Sequence, residues 1–170
     1  KGQRQYFRNC WIEGTTDFIF GASTCWFEDC TILSKKDSYI TAASTPEGAE
    51  FGYVFMNCRL IHDEKTTSVY LGRPWRSYAK TVFIGCELGD HIRTEGWHNW
   101  SKPYAEKTTF YAEYGNSGPG AAAHEERVKW SHELKAKDLK KYTPENVLQC
   151  GSEQDKNGKD IKVDWYFKVF

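Results

Sequence analysis

The stretch FRNCWI at residues 7–12 decides the fold, because the chain repeats it three times. The copies are FEDCTI at 27–32, FMNCRL at 55–60 and FIGCEL at 83–88. All four follow the pattern Phe-x-(Asn/Asp/Gly)-Cys-x-(Ile/Leu). Their cysteines are 20, 28 and 28 residues apart, at Cys10, Cys30, Cys58 and Cys86. A strand-like motif that recurs at such a period indicates a solenoid, in which each repeat is one coil stacked on the next.

Each repeat has the pattern of two short strands joined by a bend. Tyr53 and Phe55 are two residues apart and face the same side of a strand, as Cys58 and Leu60 do after the bend. The intervening Asn, Asp or Gly tolerates the left-handed backbone of a bend. Coils stacked about 4.8 Å apart place like side chains in internal ladders. The chain is therefore predicted to be an all-β parallel β-helix; a β-sandwich also suits short strands, but it gives no reason for one hexapeptide to recur.

Size and charge narrow the class of protein. The 170 residues suffice for one domain with a core. Basic and acidic residues both number 23, so the net charge is zero and we expect neither nucleic acid nor a charged membrane as a partner. No apolar stretch approaches the ~20 residues of a membrane span. Aromatic residues make up 16% of the chain, which fits contact with carbohydrate as well as simple core filling.

The coils are expected to occupy residues 1–130, and a tail of the same domain residues 131–170. Toward the C-terminus the sequence predicts a last strand at 125–130, a helix at 131–141 with Ser131 as N-cap, a short helix with Pro144 at its first position and a strand at 163–170. The tail is expected to pack along the coils or cover their open end. Because the chain begins inside a repeat, we expect it to be the C-terminal part of a larger protein whose earlier coils are missing.

The six cysteines invite a disulfide framework, but the repeat argues against one. Four of them occupy one equivalent position in successive coils, which suits a ladder of free buried thiols. Cys25 should also point inward, and Cys150 lies in the tail. The chain has no Cys-x-x-Cys or Cys-x-x-His pair for zinc. The five histidines show no pair at metal-ligand spacing and are each expected to be exposed, so no metal site is predicted.

The segment GTTDFIFG at residues 14–21 places the carboxylate of Asp17 among apolar neighbours between two glycines. Burial there would raise the pKa of the carboxyl group unless a cation compensates. Such a carboxylate is a candidate nucleophile or base. The alternative is an aspartate that caps a turn.

A second segment, LGRPW at residues 71–75, combines a cation with an aromatic ring. Pro74 biases Arg73 toward an extended backbone, and the guanidinium is a fork suited to holding a carboxylate. Trp75 offers a flat face to a sugar ring. The alternatives are an arginine bound to a structural carbonyl and a tryptophan that fills a loop. Trp97 and Trp100 present the same choice between a sugar cleft and the core.

These segments resemble those of a known family. Residues 5–21 (QYFRNCWIEGTTDFIFG) are similar to the most distinctive signature of the pectin methylesterase (pectinesterase) family, and LGRPW resembles its second signature. Residues 96–100 (GWHNW) and 111–120 (YAEYGNSGPG) resemble later segments of the family. The resemblance covers most of residues 3–150 and implies a right-handed parallel β-helix, a single-stranded solenoid.

The resemblance also implies a function: hydrolysis of the methyl esters on galacturonate units of pectin, without a cofactor or metal. Asp17 matches the family's nucleophilic aspartate, which attacks the ester carbonyl before water releases the acid. Arg73 matches the arginine paired with that carboxylate and Trp75 a substrate-binding aromatic, while Thr16 and Phe20 flank the nucleophile in the cleft. The expected partner is methyl-esterified homogalacturonan. We expect a monomer that is secreted, periplasmic or associated with the cell wall.

The chain departs from the family in one respect. A second aspartate serves the family as general acid and base, and glutamines stabilise the oxyanion. These lie upstream of the first signature; Gln3 and Gln5 are not those glutamines, so we expect the 170-residue chain alone to be inactive or nearly so. Two other functions stay open: an esterase or thioesterase of the same fold with another substrate, and a non-catalytic β-helix that binds polysaccharide. A glycosidase is disfavoured because paired acids at cleavage spacing are not seen.

Overall fold

Short strands joined by turns make up most of the chain. The structure, a computed structural model, describes residues 3–122, 124–148, 152–154, 156–157 and 160–162. Its strands are β1 (Arg4–Arg8), β2 (Trp11–Gly14), β3 (Ile19–Gly21), β4 (Thr24–Glu28), β5 (Thr31–Ser34), β6 (Tyr39–Ala43), β7 (Tyr53–Met56), β8 (Arg59–His62), β9 (Tyr70–Gly72), β10 (Lys80–Ile84), β11 (Glu87–Leu88), β12 (Phe110–Tyr114), β13 (His132–Glu133), β14 (Ser152–Gln154) and β15 (Asp160–Lys162). The α-helix is α1 (Pro144–Val147), and 3-10 turns lie at Ala105–Lys107, Pro119–Ala121, His124–Glu126 and Asp138–Lys141.

Three parallel sheets form the walls of the coil. Their strand orders are β1-β4-β7-β10-β12-β13, β2-β5-β8-β11 and β3-β6-β9. Each strand of a sheet comes from a successive coil, and equivalent positions of the repeat are in register: Phe27 pairs with Phe7 on one side and with Phe55 on the other. The predicted parallel β-helix is thereby confirmed, because a sandwich would pair its strands mainly antiparallel.

The phenylalanine of each repeat forms the predicted internal ladder. The ring of Phe27 stacks on Phe7 with 4.8 Å between centroids and on Phe55 with 4.4 Å, and Phe55 stacks on Phe83 at 4.4 Å. These separations are close to the spacing of neighbouring strands in a sheet. Phenylalanine therefore recurs at the same position of every repeat because each ring is the surface on which the ring of the next coil packs.

The cysteines of the repeat form a second ladder. Cys30, Cys58 and Cys86 are buried and free, and Cys10 in the first coil is half-buried. The thiol of Cys58 donates to the carbonyl of Phe27, one coil earlier. Cys25 is also buried, as predicted, and burial raises the pKa of its thiol to about 12. It is therefore protonated at neutral pH and chemically quiet. Cys150 lies outside the described residues.

The bends between the first two sheets have the predicted left-handed backbone. The φ angles are 52° at Asn9, 54° at Asp29, 54° at Asn57 and 63° at Gly85. Residues with a Cβ seldom adopt this conformation, and asparagine and aspartate tolerate it better than others. The third position of the repeat is therefore set by backbone geometry.

We expect Asn57→Ala to lower the free energy of unfolding by roughly 1–2 kcal/mol, the cost of holding an ordinary L-residue in the left-handed region. Asn57→Gly is the matched variant and should change stability little, since Gly85 occupies the same bend one coil later. Urea denaturation followed by circular dichroism measures both. Equal stability of the alanine and glycine variants would contradict a backbone origin for this position.

The C-terminal part differs from the predicted pattern. The strand predicted at 125–130 is wrong, since 124–126 form a 3-10 turn. The helix predicted at 131–141 is also wrong: β13 and a 3-10 turn take its place. The hydroxyl of Ser131 donates to the carbonyl of Val128 and caps nothing. Strand β13 pairs with β12, with Ala112 opposite His132, because an extended segment satisfies the open edge of the first sheet and a helix would not.

The short helix α1 confirms the prediction for the tail. Thr143 is its N-cap and accepts a hydrogen bond from the Asn146 amide, with Pro144 at the first position. Val147 and Leu148 are buried with Trp26 in a cluster on the outer face of the first sheet, so the helix packs along the coil. Strands β14 and β15 form an antiparallel pair, and the strand predicted at 163–170 lies outside the described residues. The part of the chain that the structure describes contains no helix of the length and apolarity needed to traverse a bilayer.

Candidate active site

Asp17 and Arg73 form a two-point ion pair on the flank of the coil. Arg73 Nε donates to Asp17 Oδ1 over 3.0 Å, and Arg73 Nη2 donates to Asp17 Oδ2 over 2.7 Å. The side chains are 19% and 17% exposed, so the pair is largely shielded from water but can still be reached. Arg73 is the cation that compensates the partly buried carboxylate. Two charge-assisted hydrogen bonds keep a carboxylate ionised and fix its orientation.

The middle strand of the third sheet brings these two residues together. Strand β6 pairs with β3 on one side and with β9 on the other. At one edge of β6 the Asp17 amide donates to the carbonyl of Tyr39 over 2.8 Å, and at the other the Arg73 amide donates to the carbonyl of Thr41 over 3.0 Å. Asp17 has a φ of 51°, a strained backbone for a residue with a side chain. Segments 56 residues apart thus meet because successive coils place them side by side.

Two aromatic rings hold the guanidinium of Arg73. Its central carbon lies 3.8 Å from the ring centroid of Tyr39 and 3.6 Å from that of Trp100. Arginine stacks well on aromatic faces because its charge is delocalised and weakly hydrated. Trp100 has a φ of 57°, and its amide donates to His98 Nδ1 over 3.1 Å. Tyr39 and Trp100 thus form an aromatic backing, the surface against which the Arg73 guanidinium packs.

A lysine ties this backing to the second signature. Lys102 Nζ lies 4.5 Å from the ring centroid of Trp100 and donates to the carbonyls of Pro74 and Trp75 over 3.3 Å and 3.0 Å. Burial, followed by the charges of Arg76 and Arg73, lowers the pKa of Lys102. Burial also lowers the pKa of His98, which favours a neutral imidazole beside the cationic Arg73.

Two exposed aromatic rings stand beside the ion pair. Phe20 and Trp75 are 64% and 39% exposed, and their ring centroids are 5.8 Å apart. Thr16 is exposed as well, and its hydroxyl accepts a hydrogen bond from Ser38 over 2.9 Å. The structure thus brings Asp17 to Arg73 and Phe20 to Trp75, each time joining one segment to the other, while Thr16 contacts Ser38. Exposed aromatic rings on the two segments that supply a carboxylate can bind a flat or ring-shaped polar ligand.

The structure separates the two later tryptophans. Trp97 is buried and stacks on Tyr111 with 4.3 Å between centroids, so it belongs to the core. Trp100 lies on Arg73 and belongs to the site. Tyr39 and Lys102 were not recognised from the sequence, because nothing in the spacing of a tyrosine and a lysine identifies the arginine or tryptophan on which they pack.

Comparison with known proteins identifies a family for the chain. The family model described as Pectinesterase matches residues 1–151. Pectinesterase 4 of Arabidopsis thaliana is 38% identical over 159 residues, which cover 85% of this chain and 27% of that protein. The solved pectin methylesterase from carrot superposes with a TM-score of 0.80 at 31% identity, over 87% of this chain and 51% of that one. A pectin methylesterase solved in complex with a hexasaccharide has a TM-score of 0.71 at 26% identity, over 86% and 51%.

This chain spans about a quarter of the curated relative and about half of the solved structures. Within that span the match includes both signatures, the three-sheet coil and the tail as far as residue 151. With a family model that covers so much of its length and a shared fold, the chain belongs to the pectinesterase family.

Proposed function

We propose that the protein hydrolyses the methyl esters of galacturonate units in pectin, with Asp17 as nucleophile. The observation that carries this proposal is the ion pair between Asp17 and Arg73 beside the exposed rings of Phe20 and Trp75. A carboxylate that is held ionised, oriented and open to one side is suited to attack an ester carbonyl. Membership of the pectinesterase family supports the choice of ester.

The reaction would proceed in two steps. A carboxylate oxygen of Asp17 forms a bond to the ester carbonyl carbon, the bond from that carbon to the methoxy oxygen breaks, and the methoxy group takes a proton and leaves as methanol. Water then attacks the resulting acyl-aspartate, which releases galacturonic acid and restores Asp17. Arg73 holds the carboxylate in its ionised form and in one orientation throughout. No cofactor enters this scheme.

Proton transfer and stabilisation of the oxyanion require further groups. In the family that the chain resembles, a second aspartate and glutamines lie upstream of the first signature, and we expect their equivalents here on earlier coils. The first coil fits such an addition: Trp11 is exposed, Phe7 and Ile12 are only partly buried, and an open cavity of about 230 Å³ is lined by Phe7, Ile12 and Phe18, among others. The counterparts of Phe7 and Ile12 in the next coil, Phe27 and Ile32, are buried.

We place residues 131–170 in the same domain as these coils.

Trp75, Phe20 and Thr16 would bind the sugar chain. Two exposed aromatic rings next to a hydroxyl group suit a ring that is apolar on its faces and polar at its edge. That a related pectin methylesterase was solved with a hexasaccharide supports a polysaccharide substrate, here methyl-esterified homogalacturonan. A monomer that is secreted, periplasmic or associated with the cell wall is consistent with such a substrate.

Methanol release from methyl-esterified pectin tests the proposal. We expect the protein in its full natural length to release methanol and free carboxylic acid in equal amounts, while the 170-residue chain alone gives no turnover above background. The physical reason is that the chain holds the nucleophile but not the proton-transfer and oxyanion groups, which are worth about 10²–10⁴-fold and 10²–10³-fold in rate.

The outcomes of this assay distinguish the alternatives. Full turnover by the 170-residue chain would refute the need for earlier coils. If the full-length protein cleaves simple esters or thioesters but leaves pectin intact, it is an esterase or thioesterase of the same fold with another substrate. If it binds pectin and releases nothing, it is a polysaccharide-binding module.

A further inference from the structure

Three potential metal ligands meet at the corner that follows the second sheet. His62 ends β8, and Asp90 and His91 follow β11. Strand β11 pairs with β8 so that Leu88 lies opposite Leu60, and the same register carried two residues further brings Asp90 beside His62. His62 Nε2 lies 2.9 Å from Asp90 Oδ1, and the rings of His62 and His91 are 4.6 Å apart between centroids. The cluster arises from the stacking of coils, since the two histidines are distant in sequence.

His91 is buried without any hydrogen-bond partner. It is 1% exposed, and neither Nδ1 nor Nε2 is bonded, so the expectation that every histidine is exposed is wrong. Among the described residues, six buried side-chain nitrogen and oxygen atoms lack partners, and three of them belong to His91 and to Ser34, the residue paired with His62 one coil earlier. Buried polar groups are nearly always bonded, and an unbonded one is costly. An imidazole in this position calls for a ligand.

The contacts of His62 also favour a positive charge at this corner. Its Nδ1 lies 2.8 Å from the carbonyl oxygen of Asp63, and its Nε2 faces the carboxylate of Asp90. Both contacts with oxygen can be hydrogen bonds only in the imidazolium, because a neutral imidazole donates from one nitrogen. In the neutral ring, Nδ1 can donate to the Asp63 carbonyl, and Nε2 then presents its lone pair toward Asp90. A metal ion shared by Nε2 and the carboxylate satisfies both, with the carbonyl fixing the ring as it does in many histidine–metal sites.

We propose that His62, Asp90 and His91 bind a divalent transition-metal ion, with Zn²⁺ as the best match. One ligand atom from each residue lies within 4.8 Å of the other two. Zinc takes imidazole and carboxylate ligands at about 2.0–2.2 Å in a tetrahedron, which places ligand atoms roughly 3.4 Å apart. His62 Nε2 and Asp90 Oδ1, which are 2.9 Å apart, must therefore separate slightly to admit the ion. His62 and Asp90 are 29% and 74% exposed, so their side chains can adjust around the fixed His91, and water supplies the fourth ligand.

The position of the cluster indicates a structural role. The backbone carbonyl of His91 accepts from the Val69 amide, and Arg93 donates back to the carbonyl of Val69, so the cluster stands where the chain leaves the second sheet for the third. A bound ion would join β8 to the turn of the next coil. Gly89 leaves room for the His91 ring, because a Cβ there would lie 2.7 Å from Nδ1.

Titration with Zn²⁺ alone tests the site in the full-length protein, produced without an affinity tag and stripped with a chelator. We expect one Zn²⁺ per chain by calorimetry and a higher melting temperature with the ion present. His62→Gln and Asp90→Asn should each raise the dissociation constant at least about tenfold, since even groups that only support a ligand are worth 10–100-fold. His132→Gln, an exposed histidine elsewhere, is the matched control and should bind as the wild type does.

Co²⁺ provides a second measurement. Its visible absorption should indicate a tetrahedral site of nitrogen and oxygen ligands, without the near-ultraviolet charge-transfer band of a thiolate. A thiolate band would assign the ion to a cysteine and overturn the proposal. So would unchanged affinity in both His62→Gln and Asp90→Asn, or no Zn²⁺ binding up to millimolar concentration. His91→Leu should abolish Zn²⁺ binding. If that variant does not fold, the affinities of His62→Gln and Asp90→Asn test the site.

Discussion

Asp17→Asn should lower methanol release by the full-length protein at least about 10⁴-fold, the scale seen when a catalytic side chain is removed from a hydrolase. Asparagine has nearly the shape of aspartate and tolerates the left-handed backbone at this position. It can still accept a hydrogen bond from Arg73, so the fold and the surface should be kept. What it lacks is a carboxylate oxygen able to form the acyl intermediate. The initial rate of methanol release from pectin measures the loss.

Asp29→Asn is the matched control for that experiment. Asp29 has a φ of 54°, is exposed, and lies in a bend of the repeat where Asn9 and Asn57 occupy equivalent positions in other coils. The same chemical change there should leave the rate as in the wild type. Pectin binding should survive in both variants. Comparable rates of Asp17→Asn and wild type would contradict nucleophilic attack by this residue and would favour a binding module.

The coil could be predicted from the sequence because the repeat encodes it several times over. One phenylalanine alone says little, but Phe7, Phe27, Phe55 and Phe83 at equivalent positions can be satisfied together only by stacking, and their rings do stack. The bends followed for the same reason: Asn, Asp or Gly at one site of every repeat indicates a backbone requirement. Because the same pattern occurs in every coil, it is sufficient to predict the fold.

The C-terminal part offered no such redundancy. Residues 131–141 have helix-forming composition, yet the free edge of β12 draws His132 and Glu133 into a strand. That edge forms only when the coils have stacked, so the local sequence of residues 131–141 does not predict the strand. The same holds for His91: it stands between Asp90, which is exposed, and Ile92, which is buried, so its neighbours in sequence do not predict its burial. Its ring packs against His62 of the preceding coil.

The candidate site was partly predictable. Asp17 and Arg73 stand in distinctive segments, and the family resemblance predicted them as a pair. Tyr39 and Trp100 were not predicted as partners of Arg73, although they lie within 3.8 Å and 3.6 Å of its guanidinium. Stacking of this sort depends on which faces of separate coils come together. It also depends on the left-handed backbone of Trp100, which the sequence does not predict.

A second ion pair, between Glu113 and Arg127, holds the C-terminal turns against the coil. Arg127 Nε donates to Glu113 Oε1 over 2.8 Å and Nη2 donates to Oε2 over 3.2 Å, and the side chains are only 7% and 6% exposed. The same guanidinium donates to the carbonyls of Arg93, Thr94 and Gly120. One side chain thus joins β12, the turn after the fourth coil and the segment that precedes β13.

Arg127→Met should lower the free energy of unfolding by about 3–5 kcal/mol, because it leaves the carboxylate of Glu113 buried without a cation. Asn116 still donates to Glu113, but one amide does not offset a lost charge. Arg59→Met is the matched control: Arg59 pairs with Glu87 over a similar 3.0 Å, but both side chains are exposed, so its loss should cost about 0–1 kcal/mol. Urea denaturation of the two variants measures the difference. If both variants unfold at the same urea concentration, the buried Arg127 pair contributes no more to stability than the exposed Arg59 pair. The tail must then be held by the apolar contacts of α1.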